Sequence, residues 1–266
     1  MKAYNIYDEE LRRSLGTLLY YEKDHSWIIE LIEELDEWTA PLLFTGFVKN
    51  KIFTIPREFS AMWVNERIIP SGRQNIGSIL TTHHLKEYDE MKFLEIAEGR
   101  CSQDMLCIHK INELPEYVLP RMNRNLTDIT ICNDDSLLCF FKDNTIRKIH
   151  LTEFIHEDNN ITKILNNRAL FESGTLTPDG YAVTFNNAID IMASQLYSSG
   201  TKIPLEKDDF IAFVKNTVAD TSQACNILEC SRQNLSYIVN NNRLRAYRKE
   251  VKGALYSKGD ILKTQW

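Results

Sequence analysis

The stretch Asp220–Asn240 constrains this chain more than any other, because two short helical repeats face each other there across a turn of two residues. Ala224, Ile227 and Leu228 recur at helical spacing after Asp220 or Thr221, either of which can cap a helix. Ser231 caps the second helix, whose inward face is Leu235, Ile238 and Val239 at i, i+3 and i+4. Small Cys225 sits where the two helices must approach closely, and Glu229–Cys230 makes the turn. The outward faces of the second helix carry Arg232, Gln233, Asn234, Ser236, Tyr237 and Asn240, a set rich in hydrogen-bonding groups and free of acids. An ordinary solvated face mixes Glu with Lys.

Charge follows the same division. From Ser231 onward eight bases stand against two acids, Glu250 and Asp260, so this segment carries +6 and leaves −12 for the rest of a chain whose net charge is −6. A chain so polarised presents one face to a polyanion while its acidic body repels non-specific contact.

The pattern of a small residue, Leu, turn, apolar residue, Ser and an apolar pair resembles the helix-turn-helix of bacterial regulators. Glu229 departs from it, since Gly most often holds that turn position, and a non-Gly residue in left-handed backbone costs on the order of 1 kcal/mol. The following segment resembles the wing of excisionase-like or MerR-like winged helices. Leu244–Tyr247 and Ala254–Ser257 are expected as two strands joined near 251–253, and Gly259–Lys263 as a final helical turn. This resemblance implies that Ser231–Asn240 enters a major groove. Arg can then pair bidentately with guanine, Gln or Asn with adenine, and Arg243, Arg245, Arg248, Lys249 and Lys252 meet phosphates.

The remainder reads as two further parts, giving an α+β, multi-domain fold class. Residues 1–125 are expected as a mostly helical domain. DEELRRSLGTLLYY places Leu11, Leu15, Leu18 and Leu19 at helical spacing, and SWIIELIEELDEW repeats it with Ile28, Ile29, Leu31, Ile32 and Leu35. The pattern weakens near Tyr117–Pro120, where a boundary falls. Trp27, Trp38, Phe44, Phe47, Phe53, Phe59 and Trp63 read as core or as the lining of an effector pocket. Residues 126–200 change period: LTDITICN, SLLCFFKD, NTIRKIHL and GYAVTFNNAIDI are strand-like, with Asp143–Asn144 a hairpin turn and 152–170 a helical insert. This small antiparallel α+β domain resembles the bacterial domain of unknown function catalogued as family 2442. The resemblance rests on Phe185, Asn186, Asn187, Ile189 and Asp190, with Ala188 replacing the usual Gly, and implies no chemistry. Asp190 reads as a cap for the next helix or as a ligand contact. Residues 205–266 form the third domain, opened by an amphipathic helix with Phe210, Ile211, Phe213 and Val214 inward.

Other chemistry finds little support. There is no P-loop, dinucleotide-binding Gly pattern or nucleophile elbow, and the six cysteines form no CxxC pair. His83–His84, the only close histidine pair, diverges by about 100° if helical, so no metal, cofactor or catalytic residue is expected. Pro70–Ser78 could hold an anion through Ser71, Gly72 and Arg73, although Ser71 capping a helix is the simpler account. The N-terminus lacks the pattern of a signal peptide and no apolar run approaches 18 residues, so a cytoplasmic protein without membrane contact is expected.

The functional expectation is a transcriptional regulator on double-stranded DNA, acting as a homodimer or in a multi-site arrangement because one such helix reads few base pairs, with room for a small-molecule or protein effector on the N-terminal or middle domain. The alternatives are an antitoxin-like or adaptor protein whose helix-turn-helix only autoregulates, and an enzyme housed in residues 1–125, which no residue spacing supports.

Overall fold

A computed structural model describes residues 1–132, 134–154, 159–202, 204, 207–251 and 253–265, with backbone alone at 159, 207–208, 210–211, 248–251 and 253–255. Helices combine with antiparallel sheets in an α+β fold of two compact units, Met1–Leu119 and Pro120–Trp266. Segments 126–200 and 205–266 thus lie within the same unit. Among the described residues, no helix is long and apolar enough to cross a membrane.

The first unit is built on β1 (Lys2–Asp8), β2 (Arg13–Tyr21), β3 (Ser26–Leu31), β4 (Thr54–Ile55) and β5 (Leu106–Ile111), in the order β4-β3-β2-β1-β5. Four helices accompany the sheet: α1 (Thr45–Lys49), α2 (Arg57–Asn65), α3 (Ile76–Thr82) and α4 (Glu90–Ile96). A fifth, α5 (Val118–Met122), spans the division. The two runs expected as helices therefore hold strands β2 and β3, with turns at 9–12 and beyond Leu31. The last seven residues of β2 and all six of β3 are buried, and a strand covered on both faces needs no polar alternation. Its continuous apolar run satisfies a helical template equally well. Tyr20, Tyr21, Trp27, Ile28 and Ile29, aromatic and β-branched, are the residues that favour the extended form.

Tyr4, Leu18, Trp27 and Ile29 from the sheet pack with Phe44, Trp63, Val64 and Phe93 into one core. Trp38 corrects the expectation of a core aromatic: it is 86% exposed, and Leu42 is 93% exposed. The cause is local, since the Asp36 carboxylate accepts the N–H groups of Trp38 and Thr39 at 3.0 and 2.9 Å and folds the segment back at the surface. Ser71 caps no helix either. The cap position of α3 is Asn75, preceded by a turn in which Arg73 N–H reaches the Pro70 carbonyl at 3.1 Å.

The second unit begins with β6 (Leu126–Ile131), β7 (Ser136–Phe141) and β8 (Ile146–His150). It continues through α6 (Asn159–Leu165), α7 (Arg168–Glu172), β9 (Thr175–Leu176), β10 (Ala182–Phe185), β11 (Ile189–Met192), α8 (Ala193–Ser199) and β12 (Thr201–Lys202). The sheets run β12-β8-β7-β6 and β11-β10-β9. Asp143 shapes the β7–β8 turn by accepting Thr145 N–H at 2.9 Å while Asn144 takes a φ of 64°. GYAVTFNNAIDI is a hairpin and not a single strand. Asn186 and Asn187 both take positive φ, 51° and 54°, a pair of conformations Asn tolerates and a tight hairpin turn requires. Asp190 consequently lies within β11, opposite Thr184, and Met192 holds the cap position of α8.

The chain then continues through α9 (Lys207–Thr217), β13 (Val218–Ala219), α10 (Thr221–Ile227), α11 (Arg232–Asn240), β14 (Arg248–Val251), β15 (Gly253–Ser257) and α12 (Lys258–Lys263). These elements are fastened to β6. Thr217 of α9 hydrogen-bonds Thr130 at 2.9 Å, and both residues are buried. Asp128 accepts the Ser257 hydroxyl in a short hydrogen bond and the Gly259 N–H at 3.2 Å. Gly259 is required there, because a Cβ would stand 1.8 Å from the Thr127 carbonyl oxygen.

Burial pushes the Asp128 carboxyl up to about 6 against the hydrogen bonds from Ser257, Gly259 and Ile129, with Asp260 adding repulsion. A carboxyl whose native pKa is raised stabilises the fold most when protonated, so its contribution is present below about pH 4 and is lost as pH rises through about 6. Asp128→Asn should therefore gain on the parent by roughly 3 kcal/mol between pH 3 and 7, read by urea unfolding at each pH.

Candidate nucleic-acid interface

Sequence dictates the α10–α11 pair at each end of each helix. Asp220 accepts Gln223 N–H at 2.8 Å, and the Gln223 side chain accepts Asp220 N–H at 3.0 Å, a reciprocal capping box. The C-terminus of α10 closes when Cys230 N–H reaches the Cys225 carbonyl at 3.0 Å and Glu229 N–H reaches that of Asn226 at 3.3 Å. These two bonds form a Schellman motif around Glu229, whose φ is 49°. Ser231 then caps α11 by accepting Asn234 N–H at 3.2 Å. The same closure ends α11: Asn242 takes a φ of 56°, and Arg243 N–H meets the Ile238 carbonyl at 3.1 Å.

The inward faces meet in a small core. Ala219, Ala224, Leu235, Leu244, Tyr256 and Ile261 are buried, with Ile227, Leu228, Ile238 and Val239 half-buried against them. Gln265 donates its side-chain amide to the Ile227 carbonyl, tying the end of the chain to the last turn of α10. A three-stranded sheet, β13-β15-β14, completes the module, with Val218 opposite Ser257 and Arg248 opposite Leu255. The first strand of the hairpin is 248–251, not the expected 244–247. Once Asn242 reverses the chain, Leu244 is drawn into the core, and pairing begins only beyond Tyr247.

The outward residues expected from the sequence gather on one helix. Ser231, Arg232, Gln233, Asn234, Ser236, Tyr237 and Asn240 are all exposed, Tyr237 by 64%. Arg243 and Arg245 follow in the exposed loop. The backbones of Arg248 and Lys249 lie in β14 and their side chains are outside the described atoms, as is the whole of Lys252. The structure adds an element that sequence reading passed over. Arg232 reaches the Ser222 hydroxyl at 3.4 Å, so the exposed first turn of α10, with Ser222 and Gln223, borders the same surface. Its signal was the Asp220–Gln223 capping spacing, which places these two side chains at a helix start.

Among the described residues, no carboxylate forms an ion pair with Arg232, Arg243 or Arg245. Three exposed guanidiniums, one of them donating to Ser222, therefore stand beside amide and hydroxyl groups with no carboxylate counter-ion among the described residues.

No protein-family model matches the chain. No curated protein and no solved structure matches it either.

Two substitutions test the module's construction. Glu229→Gly should raise stability by up to about 1 kcal/mol, since Gly takes a left-handed φ without steric penalty. Leu235→Ala should cost about 2–5 kcal/mol, as expected when a buried Leu is truncated. Both are read as shifts in the denaturant midpoint.

Proposed function

We propose that the chain is a DNA-binding transcriptional regulator in which α10 and α11 act as a helix-turn-helix, with β14 and β15 as its wing. The observation that carries this reading is the acid-free, exposed outer face of α11, flanked by guanidiniums that no carboxylate engages among the described residues. A face of this composition has neither the alternating charges of a solvated helix nor the apolar area of a packing surface, and it matches the donors and acceptors of base edges. In this reading Arg232, Gln233 and Asn234 address bases from the first turn of α11. Ser236, Tyr237, Asn240, Arg243 and Arg245 fix the register on sugar and phosphate, joined by Arg248 and Lys249 on the wing. The segment similar to family 2442 serves as the body to which the reading module is fastened. Homodimerisation would place two such helices in successive major grooves about 34 Å apart.

A second reading, an adaptor that binds protein, is favoured by one feature of the first unit. A groove of about 540 Å³ there is lined by Trp38, Leu42, Leu11 and Met105, all among the exposed large apolar residues, with Asp8 and Glu10 at the same site. Exposed aromatic and aliphatic side chains gathered in one groove suit a protein contact, and such a contact is compatible with DNA binding elsewhere on the chain.

The test is fluorescence anisotropy with duplex DNA taken from upstream of the protein's own gene, across a salt series. The expected result is a linear fall of log K with log[salt], steeper by about 0.9 for every phosphate neutralised. Changing Arg232, Gln233 and Asn234 together to Ala should weaken binding at least about tenfold, since each good base contact is worth about 1–3 kcal/mol. Unchanged affinity in that variant would overturn the assignment of α11 as the reading helix.

A further inference from the structure

A cavity of about 500 Å³ lies in the second unit, where the body meets the C-terminal elements. Its walls come from β6 and β9, each the terminal strand of its own sheet, and from α7, α9 and α12. A space between two sheet edges, roofed by helices from a later part of the chain, has the size of a small-ligand site.

The charges around it are unequally committed. On the acidic side, both Asp128 oxygens already accept hydrogen bonds, from Ile129 N–H at 3.1 Å and Gly259 N–H at 3.2 Å as well as from Ser257. Glu172 accepts from Arg168 Nε at 2.7 Å. On the basic side, Lys258 lines the cavity half-buried, and among the described residues no carboxylate forms an ion pair with its ammonium. Arg168, also on the wall, donates Nε to Glu172 at 2.7 Å and holds Asp135 at 3.8 Å through Nη1. Ile129, Leu176 and Leu262 provide aliphatic wall between these polar groups.

We propose that this cavity binds a small organic anion, with Lys258 holding the charged head and Ile129, Leu176 and Leu262 covering the carbon body. A half-buried ammonium with no ion-pair partner among the described residues gains a charge-assisted bond from such a ligand, while the two carboxylates, already satisfied, do not compete for it. The ligand would touch α9 and α12 on one side and β6, α7 and β9 on the other. It therefore bridges the body and the elements that support α10 and α11, because α12 packs its Ile261 in the α10–α11 core and the following Gln265 bonds the Ile227 carbonyl. The binding step stands independently of the DNA-binding reading. Only its consequence, an occupancy-dependent change in DNA affinity, rests on that reading.

The experiment is a fluorescence titration of the full chain with 8-anilinonaphthalene-1-sulfonate and with its uncharged analogue N-phenyl-1-naphthylamine. Saturable binding of the sulfonate is expected, with the uncharged probe about tenfold weaker, the factor that one charge-assisted hydrogen bond supplies. Lys258→Met should weaken the sulfonate by about the same tenfold and leave the uncharged probe and the thermal midpoint unchanged. Lys258→Gln replaces it if the Met variant unfolds early. Equal affinity for the two probes, absence of saturable binding, or sulfonate affinity unchanged in a folded Lys258 variant would each overturn the proposal. No DNA is present in the titration, so its failure would leave the DNA-binding reading untouched.

Discussion

The second unit depends on a carboxylate sealed against a strand edge. Asp128 sits on the terminal strand of the four-stranded sheet, 8% exposed, and receives the Ser257 hydroxyl and the Gly259 N–H from the start of α12. Edge strands offer unpaired backbone and a surface on which later parts of the chain can dock. Here α12 docks so closely that position 259 has room only for glycine. Because Ser257 also ends β15 and caps α12, one side chain joins the hairpin, the last helix and the body. Burying Asp128 is unfavourable for its charged form, and the three donors around it offset that cost while fixing their own positions.

From this anchor the orientation of α10 and α11 follows. Ile261 of α12 and Tyr256 of β15 complete the core that Ala224 and Leu235 begin, so the outer face of α11 is set by what lies beneath it. Two Schellman closures, at Glu229 and Asn242, bring the chain into and out of α11 within a few residues. The same economy leaves Arg232, Arg243 and Arg245 on the surface without carboxylate partners among the described residues, and that is the electrostatic basis of the proposed function.

Parts of this architecture were legible in the sequence because their signals are local. The caps at Asp220 and Ser231, the i, i+3, i+4 face of Leu235, Ile238 and Val239, and the Asp143–Asn144 turn each arise from neighbouring residues. The five-stranded sheet was not legible. Strands buried on both faces, such as β2 and β3, lose the alternation that distinguishes them from helices, and what covers each face is distant in sequence. The hairpin at Asn186–Asn187 was hidden for a related reason, since two asparagines accept left-handed backbone without the glycine that usually marks such a turn. The fastening of α12 to β6 joins residues 129 positions apart, and no window of sequence contains both partners.

The charge division gains a structural meaning from this arrangement. Of the basic residues beyond Ser231, Arg232 is exposed on α11 and Arg243 and Arg245 in the loop that follows it, while Lys258 and Lys263 belong to α12. The most direct measurement is the change in backbone amide resonances of the ¹⁵N-labelled protein on adding duplex DNA from upstream of its own gene. The account expects the largest shifts across Ser231–Asn240 and at Arg243 and Arg245, with the first unit unaffected. Shifts confined to residues 1–119, or none anywhere in α11, would contradict it.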